Sequence, residues 1–263
     1  MSLESVLLID RQPERWRLTL NRPDKRNALN HDLIAQLKAA LAAAAQDAKQ
    51  PILILTGAGQ AFSAGADLET LQTISRRTPE ENRADSEQLR ELFLAMITHP
   101  APLIAAVHGP ALAGGCGLTT ACDHVIASPN ATFGYPEVKI GFVAAIVAPL
   151  LVRGIGERRA RELLLSGRTI NAEEAMTLGL IHEIVPAEAL LSRAEALAVE
   201  YRKNSPTALA LTKRALAEIA GLSLNDALNY GAQLNAEARA TPDLHEGVAA
   251  FLEKRAPDWP SRK

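Results

Sequence analysis

Two stretches of small residues stand behind apolar runs. Ser63-Ala64-Gly65-Ala66-Asp67-Leu68 follows Ile52 to Thr56, and Ala113-Gly114-Gly115-Cys116-Gly117-Leu118 follows Leu103 to Val107. Small side chains let a ligand approach the main chain, so the backbone N–H groups become the available donors. The second stretch reads as the opening of a helix running through Cys122. Its first N–H groups would lack intrahelical acceptors and lie at the positive end of the helix dipole. Two such donors suit an oxyanion, an oxygen that gains negative charge during reaction. Gly114-Gly115 alone would equally serve a tight turn or close helix packing.

Other motifs lead nowhere. Gly57-Ala58-Gly59-Gln60-Ala61-Phe62 begins like a dinucleotide fingerprint, but Phe62 stands where close helix packing requires Gly or Ala. No glycine-rich loop ends in Gly-Lys-Ser or Gly-Lys-Thr, and His182-Glu183-Ile184-Val185-Pro186 has Pro where a zinc-binding helix needs its second His. Ala61-Phe62-Ser63-Ala64-Gly65 lacks the first small glycine of a strained nucleophile turn. The histidines show no ligand spacing, so no metal is expected. Cys116 and Cys122 read as buried thiols, too far apart for a disulfide if the stretch is helical.

The elements that must position these residues follow from pattern. Val6 to Ile9 and the alternating Arg15-Trp16-Arg17-Leu18-Thr19-Leu20 form a strand pair around Gln12-Pro13-Glu14. Asn30 caps a helix through Leu33, Ile34, Leu37 and Leu41 that ends near Lys49. Ile52 to Thr56 and Leu103 to Val107 read as buried strands. Residues 69–88 are polar and mixed, a helix-loop over a site or a solvated surface helix. His124 to Ala127, Ala131 to Phe133 and Ile181 to Val185 read as strands, and Glu157 to Leu165 and Ala172 to Leu178 as helices. From Ala187 onward the chain is helical, broken near Asn204-Ser205-Pro206, Gly221 and Thr241-Pro242. The fold class is α/β: residues 1–195 form a strand-and-helix core, and residues 196–263 a helical region.

Composition narrows the partners. The 263 residues are 48% hydrophobic and 22% charged, enough to bury a large core without metal or disulfide. Lys and Arg total 28 against 30 Asp and Glu, a net charge of −2, which gives no general field for nucleic acid. The longest apolar run, Phe142 to Val152, contains Pro149 and is far shorter than the roughly 20 residues of a membrane span. No secretory leader is evident, so the cytoplasm is the expected location.

The order of the pieces carries more than any one of them. Asn21-Arg22-Pro23, Phe62 to Leu68, Gly109-Pro110-Ala111-Leu112-Ala113-Gly114-Gly115-Cys116, Cys122-Asp123 and Phe133-Gly134-Tyr135-Pro136-Glu137 together resemble the enoyl-CoA hydratase/isomerase, or crotonase, family from about residue 5 to residue 256. The resemblance implies a spiral of strand-strand-helix repeats making two nearly perpendicular sheets, with a helical C-terminal region that forms homotrimers, often paired into hexamers. It implies a coenzyme A thioester as substrate, with no separate cofactor. The thioester oxygen would be held by the N–H groups of Ala66 and Gly114, and Glu137 would be the general acid/base.

The resemblance also assigns the periphery. Lys25, Arg26 and Ala64 match positions near the coenzyme A nucleotide, while Phe251 and Lys254 match a pair that reaches the nucleotide of a neighbouring subunit. Asp67 and Asp123 are expected to make structural bonds. Gly117 stands where the best-known hydratases carry a second glutamate, so one carboxylate must suffice. Ile140-Gly141-Phe142-Val143-Ala144-Ala145-Ile146 replaces a glycine-rich loop and looks like the methylglutaconyl-CoA hydratase branch, with Phe142 shaping the acyl pocket. Phe133, Ile140, Phe142 and Val143 are expected to desolvate Glu137 and raise its pKa. The expected reaction is hydration of a 2-enoyl-CoA. Isomerisation of a 3-enoyl-CoA by the same single glutamate, or acyl-CoA binding without turnover, are the alternatives.

Overall fold

The computed structural model describes residues 5–67, 72–73 and 76–262. The amino-terminal strands β1 (Leu7–Arg11) and β2 (Arg15–Leu20) pair antiparallel through the turn in which Gln12 and Arg15 exchange backbone bonds. From β2 the sheet continues in parallel through β3 (Ile52–Gly57), β4 (Leu103–Val107), β6 (His124–Ala127) and β9 (Glu183–Ile184), giving six strands in the order β1-β2-β3-β4-β6-β9. Parallel neighbours need crossovers, and helices supply them.

The helix α1 (His31–Ala45) starts where the Asn30 side chain accepts from the Leu33 amide, as its position before the apolar repeat requires. It ends at Ala45, short of Lys49. Alpha helix α2 (Pro79–Ile97) is fixed at its start by a reciprocal Thr78–Glu81 capping box with Pro79 in the first turn. Much of the polar stretch 69–88 is therefore surface helix; residues 69–71 and 74–75 lie outside the described set.

Strands β3 and β4 are apolar without alternation because both faces are covered. Leu53, Leu55, Leu103 and Val107 share a core cluster with Leu33 and Leu37 of α1 and Leu92, Phe93 and Met96 of α2. Ile52, Ile54 and Ile104 face α7 (Leu190–Arg202) through Leu190, Ala194 and Leu197. Each such buried aliphatic contributes about 1.5–3 kcal/mol relative to exposure.

A second sheet holds β5 (Pro110–Leu112), β7 (Thr132–Gly134) and β8 (Thr169–Asn171), with β5 parallel and β8 antiparallel to β7. The strand expected over Ala131 to Phe133 is β7, shifted by one residue, whereas the three-residue β5 and β8 carry too little pattern to be read in advance. Beside them lie α3 (Gly114–Thr120), α4 (Ala148–Ile155), α5 (Glu157–Ser166) and α6 (Ala172–Leu178). The helix expected to reach Cys122 stops at Thr120, and the strand expected over Ile181 to Val185 shortens to two residues. Both cysteines are free.

The helical C-terminal part comprises α8 (Pro206–Ile219), α9 (Leu224–Arg239) and α10 (Pro242–Glu253), while α7 crosses residue 195 and belongs to the sheet's cover. An ion pair with a buried lysine ties α8 down. Lys213, 8% exposed, pairs with Asp123, whose carboxylate also accepts from the Leu103 amide at 2.7 Å. Asp123 is thus a structural anchor between β4 and α8.

Candidate active site

Three strips of backbone lie side by side and bring the small-residue stretches together. Ser63 forms a parallel bridge with Ala111: the Ser63 amide donates to the Pro110 carbonyl at 3.1 Å, and the Leu112 amide donates to the Ser63 carbonyl at 2.9 Å. On its other side the strip bridges Leu29 and Ala66, with the Leu29 amide donating to the Gly65 carbonyl at 2.6 Å and the Asp67 amide donating to the Leu29 carbonyl at 3.3 Å. In this pattern the bonds flank residue 66, so the Ala66 N–H faces away from Leu29. No acceptor for it occurs among the described residues.

Side chains hold this arrangement from behind. Asn27 is buried at a positive φ of 54° and donates to the carbonyls of Ala58 and Ala61 at 2.8 and 2.7 Å. Ser63 Oγ donates to the Asn27 carbonyl at 2.8 Å. Asp67 and Arg22 form a buried ion pair at 2.7 Å, and Arg22 also donates to the Ala28 carbonyl at 2.6 Å. Asp67 is therefore spent on scaffolding, as is Arg22. Neither Asn27 nor Arg22 stands out in sequence as a scaffold of the site; the place of Arg22 in Asn21-Arg22-Pro23 is the one available signal, and Asn27 lies outside that motif.

Gly114 is the first residue of α3, so its N–H has no helical acceptor. The preceding Ala113 has φ 51° and ψ −127°, a conformation that costs a non-glycine residue about 1–3 kcal/mol. The Ala113 amide anchors the turn by donating to the Gly134 carbonyl at 2.8 Å. Gly65 explains how closely the two turns meet. At its φ of +88°, a Cβ would stand 2.6 Å from the Ala113 Cβ and 3.2 Å from the Gly114 nitrogen. The same holds at Gly115, where a Cβ would lie 2.3 Å from the Ser63 carbonyl. These glycines let the chain segments carrying the Ala66 and Gly114 donors adjoin.

Glu137 enters through the same network. Its 3₁₀ turn (Pro136–Ile140) follows β7, and Gly134, bonded to Ala113, is three residues upstream, a span of at most about 10–11 Å. Tyr135 between them is buried, its hydroxyl 2.7 Å from Thr120 Oγ1 on α3. Glu137 Oε2 is buried and has no hydrogen-bond partner among the described residues. Burial therefore pushes its carboxyl above the ordinary value of 4.5, partly offset by a bond from its own amide. The apolar surround differs from expectation. Phe133 is fully buried, but Phe142 is 48% exposed and Ile140 and Val143 more so, because residues 138–143 run along the surface of the chain.

Gly117 occupies the remaining critical position. A Cβ there would sit 2.5 Å from Val147 Cγ1 and 2.7 Å from Phe93 Cζ, both buried side chains. Apolar packing fills the space that the resemblance would give to a second carboxylate. Lys25, Arg26 and Ala64 group beside the site: Lys25 ends a 3₁₀ turn, Arg26 follows it at φ 49°, and the Ala64 amide donates to the Arg26 carbonyl at 2.9 Å. Phe251, 82% exposed, and Lys254 at φ 55° close α10, and none of their recorded bonds reaches these segments.

The histidines are bonded elsewhere. His99 is buried between the Ala101 and Leu41 carbonyls, His108 meets the Gly59 carbonyl, and His124 stacks on His182 at 4.4 Å. Among the described residues no group of three or more His, Cys, Asp or Glu is placed to hold a metal, and no helix is long and apolar enough to cross a membrane.

The arrangement as a whole can hold a developing negative charge on two amides while one poorly solvated carboxyl exchanges protons nearby. Comparison with known proteins agrees with that chemistry. The sequence model for enoyl-CoA hydratase/isomerase matches residues 16–262. A Thermus thermophilus protein named "Putative enoyl-CoA hydratase" is 48% identical over 238 residues, covering 90% of this chain and 94% of its own. The 2,3-dehydroadipyl-CoA hydratase of Escherichia coli is 39% identical over 98% of this chain and 100% of its own. The crystal structure of an enoyl-CoA hydratase from Mycobacterium smegmatis superposes with a TM-score of 0.91 at 32% identity, over 97% of this chain and 99% of that one.

Proposed function

This chain belongs to the enoyl-CoA hydratase/isomerase family, and from that premise we propose that it adds water across the double bond of a 2-enoyl-CoA thioester. Glu137 takes a proton from water as the oxygen attacks the β-carbon. The π electrons move to the thioester oxygen, giving an enolate. The N–H groups of Ala66 and Gly114 hold that oxygen, and donors placed in advance of the charge contribute about 3–4 kcal/mol each at comparable sites. Protonated Glu137 then gives its proton to the α-carbon, and the electrons return as the thioester re-forms. The water's hydroxyl and both its protons are accounted for.

The observation that carries this reading is the buried, unpartnered Glu137 oxygen downstream of the Gly114 turn. A carboxyl raised toward the working pH serves better as both base and acid. The chemistry calls for no cofactor beyond the coenzyme A carried by the substrate. Lys25, Arg26 and Ala64 hold its nucleotide, Gly117 and Phe142 bound the acyl chain, and Phe251 and Lys254 reach the nucleotide of a neighbouring subunit in a homotrimer or a pair of trimers. Residues 196–263 provide that assembly, and the enzyme works in the cytoplasm.

Adding the protein to a 2-enoyl-CoA should abolish the ultraviolet absorbance of the conjugated thioester as the 3-hydroxy product forms. The packing of Val147 and Phe93 against Gly117 leaves a single carboxylate, which also suffices to move a proton between the carbons flanking a double bond. If absorbance instead appears from a 3-enoyl-CoA, isomerisation is the activity. Saturable binding of both thioesters with no product from either would mean that the site only binds.

A further inference from the structure

At the C-terminal end of α7 lies a second pocket, about 660 Å³, made of residues the thioester site does not use. Lys49, Arg202, Lys203 and Arg262 line it, with Asp258 as the lining carboxylate. Its walls are tied together: Arg202 Nη1 donates to the Lys49 carbonyl at 3.0 Å, Trp259 Nε1 to the Lys203 carbonyl at 3.0 Å, and Gln50 Nε2 to the Ser261 carbonyl at 2.9 Å. Arg262 Nη1 caps the Arg202 carbonyl. Its other two guanidinium nitrogens, Nε and Nη2, are buried without any acceptor among the described residues.

Helix capping accounts for one nitrogen of Arg262 and leaves the rest unexplained. A buried cation without a partner is costly. Here burial and the like charge of Arg202 outweigh the attraction of Asp243 and pull the guanidinium down to about 10. The Lys49 and Lys203 side chains make no bond or ion pair recorded among the described residues. Guanidinium donors match phosphate oxygens in pairs, and ammonium groups add point charge. The volume falls within the range of about 300–1,000 Å³ usual for small-molecule sites.

We propose that the Lys49–Arg202–Lys203–Arg262 pocket binds a polyphosphate-bearing small molecule, whose negative charge offsets that of the four basic side chains lining it. Free inorganic polyphosphate and a nucleotide share that chemistry. Titration calorimetry with sodium tripolyphosphate and, separately, ADP, at fixed ionic strength and without divalent cations, tests it. The expected result is saturable binding of one anion per chain by at least one probe, the tighter of the two identifying the source. Lys203→Ala should weaken it about tenfold, equivalent to ~1.4 kcal/mol, and Arg262→Gln should abolish it, while KM for the 2-enoyl-CoA stays unchanged in Lys203→Ala. If Arg262→Gln does not fold, the double variant Lys49→Glu/Lys203→Glu replaces it and should abolish binding. Absence of saturable binding to the wild type overturns the proposal. So does binding that these variants leave intact, above all if the anion competes with the thioester, which would place it on the coenzyme A subsite.

Discussion

A carboxyl raised by burial gives a definite sign to two pH effects. As a base, Glu137 must be ionised in the free enzyme, so kcat/KM for hydration should fall on acidification with a midpoint above the ordinary value of 4.5. A pH–rate profile with no acid limb above that value contradicts the assignment. For stability, the native state holds the proton more tightly than the unfolded state does. The group's favourable contribution is therefore complete below the unfolded pKa and lost as pH rises through the folded one. The amide donors make a complementary prediction. Ala66→Pro deletes one N–H and should lower kcat about 10²–10³-fold, whereas Ala66→Ser, which changes only an exposed side chain, should stay near wild type. Equal effects of the two would remove Ala66 from the oxyanion site. At this scale the glycines and Glu137 could be named from the sequence because motif order singled them out. The scaffolding roles of Asn27, Arg22 and the strained Ala113 could not be read there, since they lie in bonds to residues up to 45 positions away, as with Arg22 and Asp67, and in backbone geometry.

Elements decide what can stand at residue 117. Phe93 on α2 and Val147 just before α4 close on Gly117 of α3. Gly117→Glu should therefore act as an overpacking change, costing about 1–3 kcal/mol, and add no activity. Thermal denaturation and turnover measure both; a stable, faster variant would mean that the space is open. The same elements show what pattern reading captures. Long buried strands such as Ile52–Gly57 and capped helices such as His31–Ala45 are legible because period and cap agree. Phe142 to Val152 reads as an apolar run without a defined element, because the short helix Ala148–Ile155, which contains Pro149, has two turns to display its period. Pro110–Leu112 pairs only through neighbours distant in sequence, which no local window contains.

The whole molecule presents more apolar surface at its C-terminal helices than a solitary chain needs. Leu216, Leu224, Leu228, Phe251 and Leu252 are each at least 63% exposed, on α8, α9 and α10. Where such side chains form one patch they mark a contact with another protein surface, and the assembly proposed above predicts that contact here. Sedimentation equilibrium should give a mass three or six times 28.2 kDa. A 28.2 kDa species that hydrates with unaltered KM would sever Phe251 and Lys254 from the substrate site. Composition foretold a large core and the element pattern an α/β fold, but assembly depends on which apolar residues stay outside the core, and that is set by tertiary packing. The central claim remains the lone carboxyl, and the rate at which Glu137→Gln consumes the conjugated absorbance of a 2-enoyl-CoA tests it most directly. Loss of a positioned acid/base group predicts a fall in kcat of about 10²–10⁴-fold with KM little changed; a rate equal to the wild type's contradicts it.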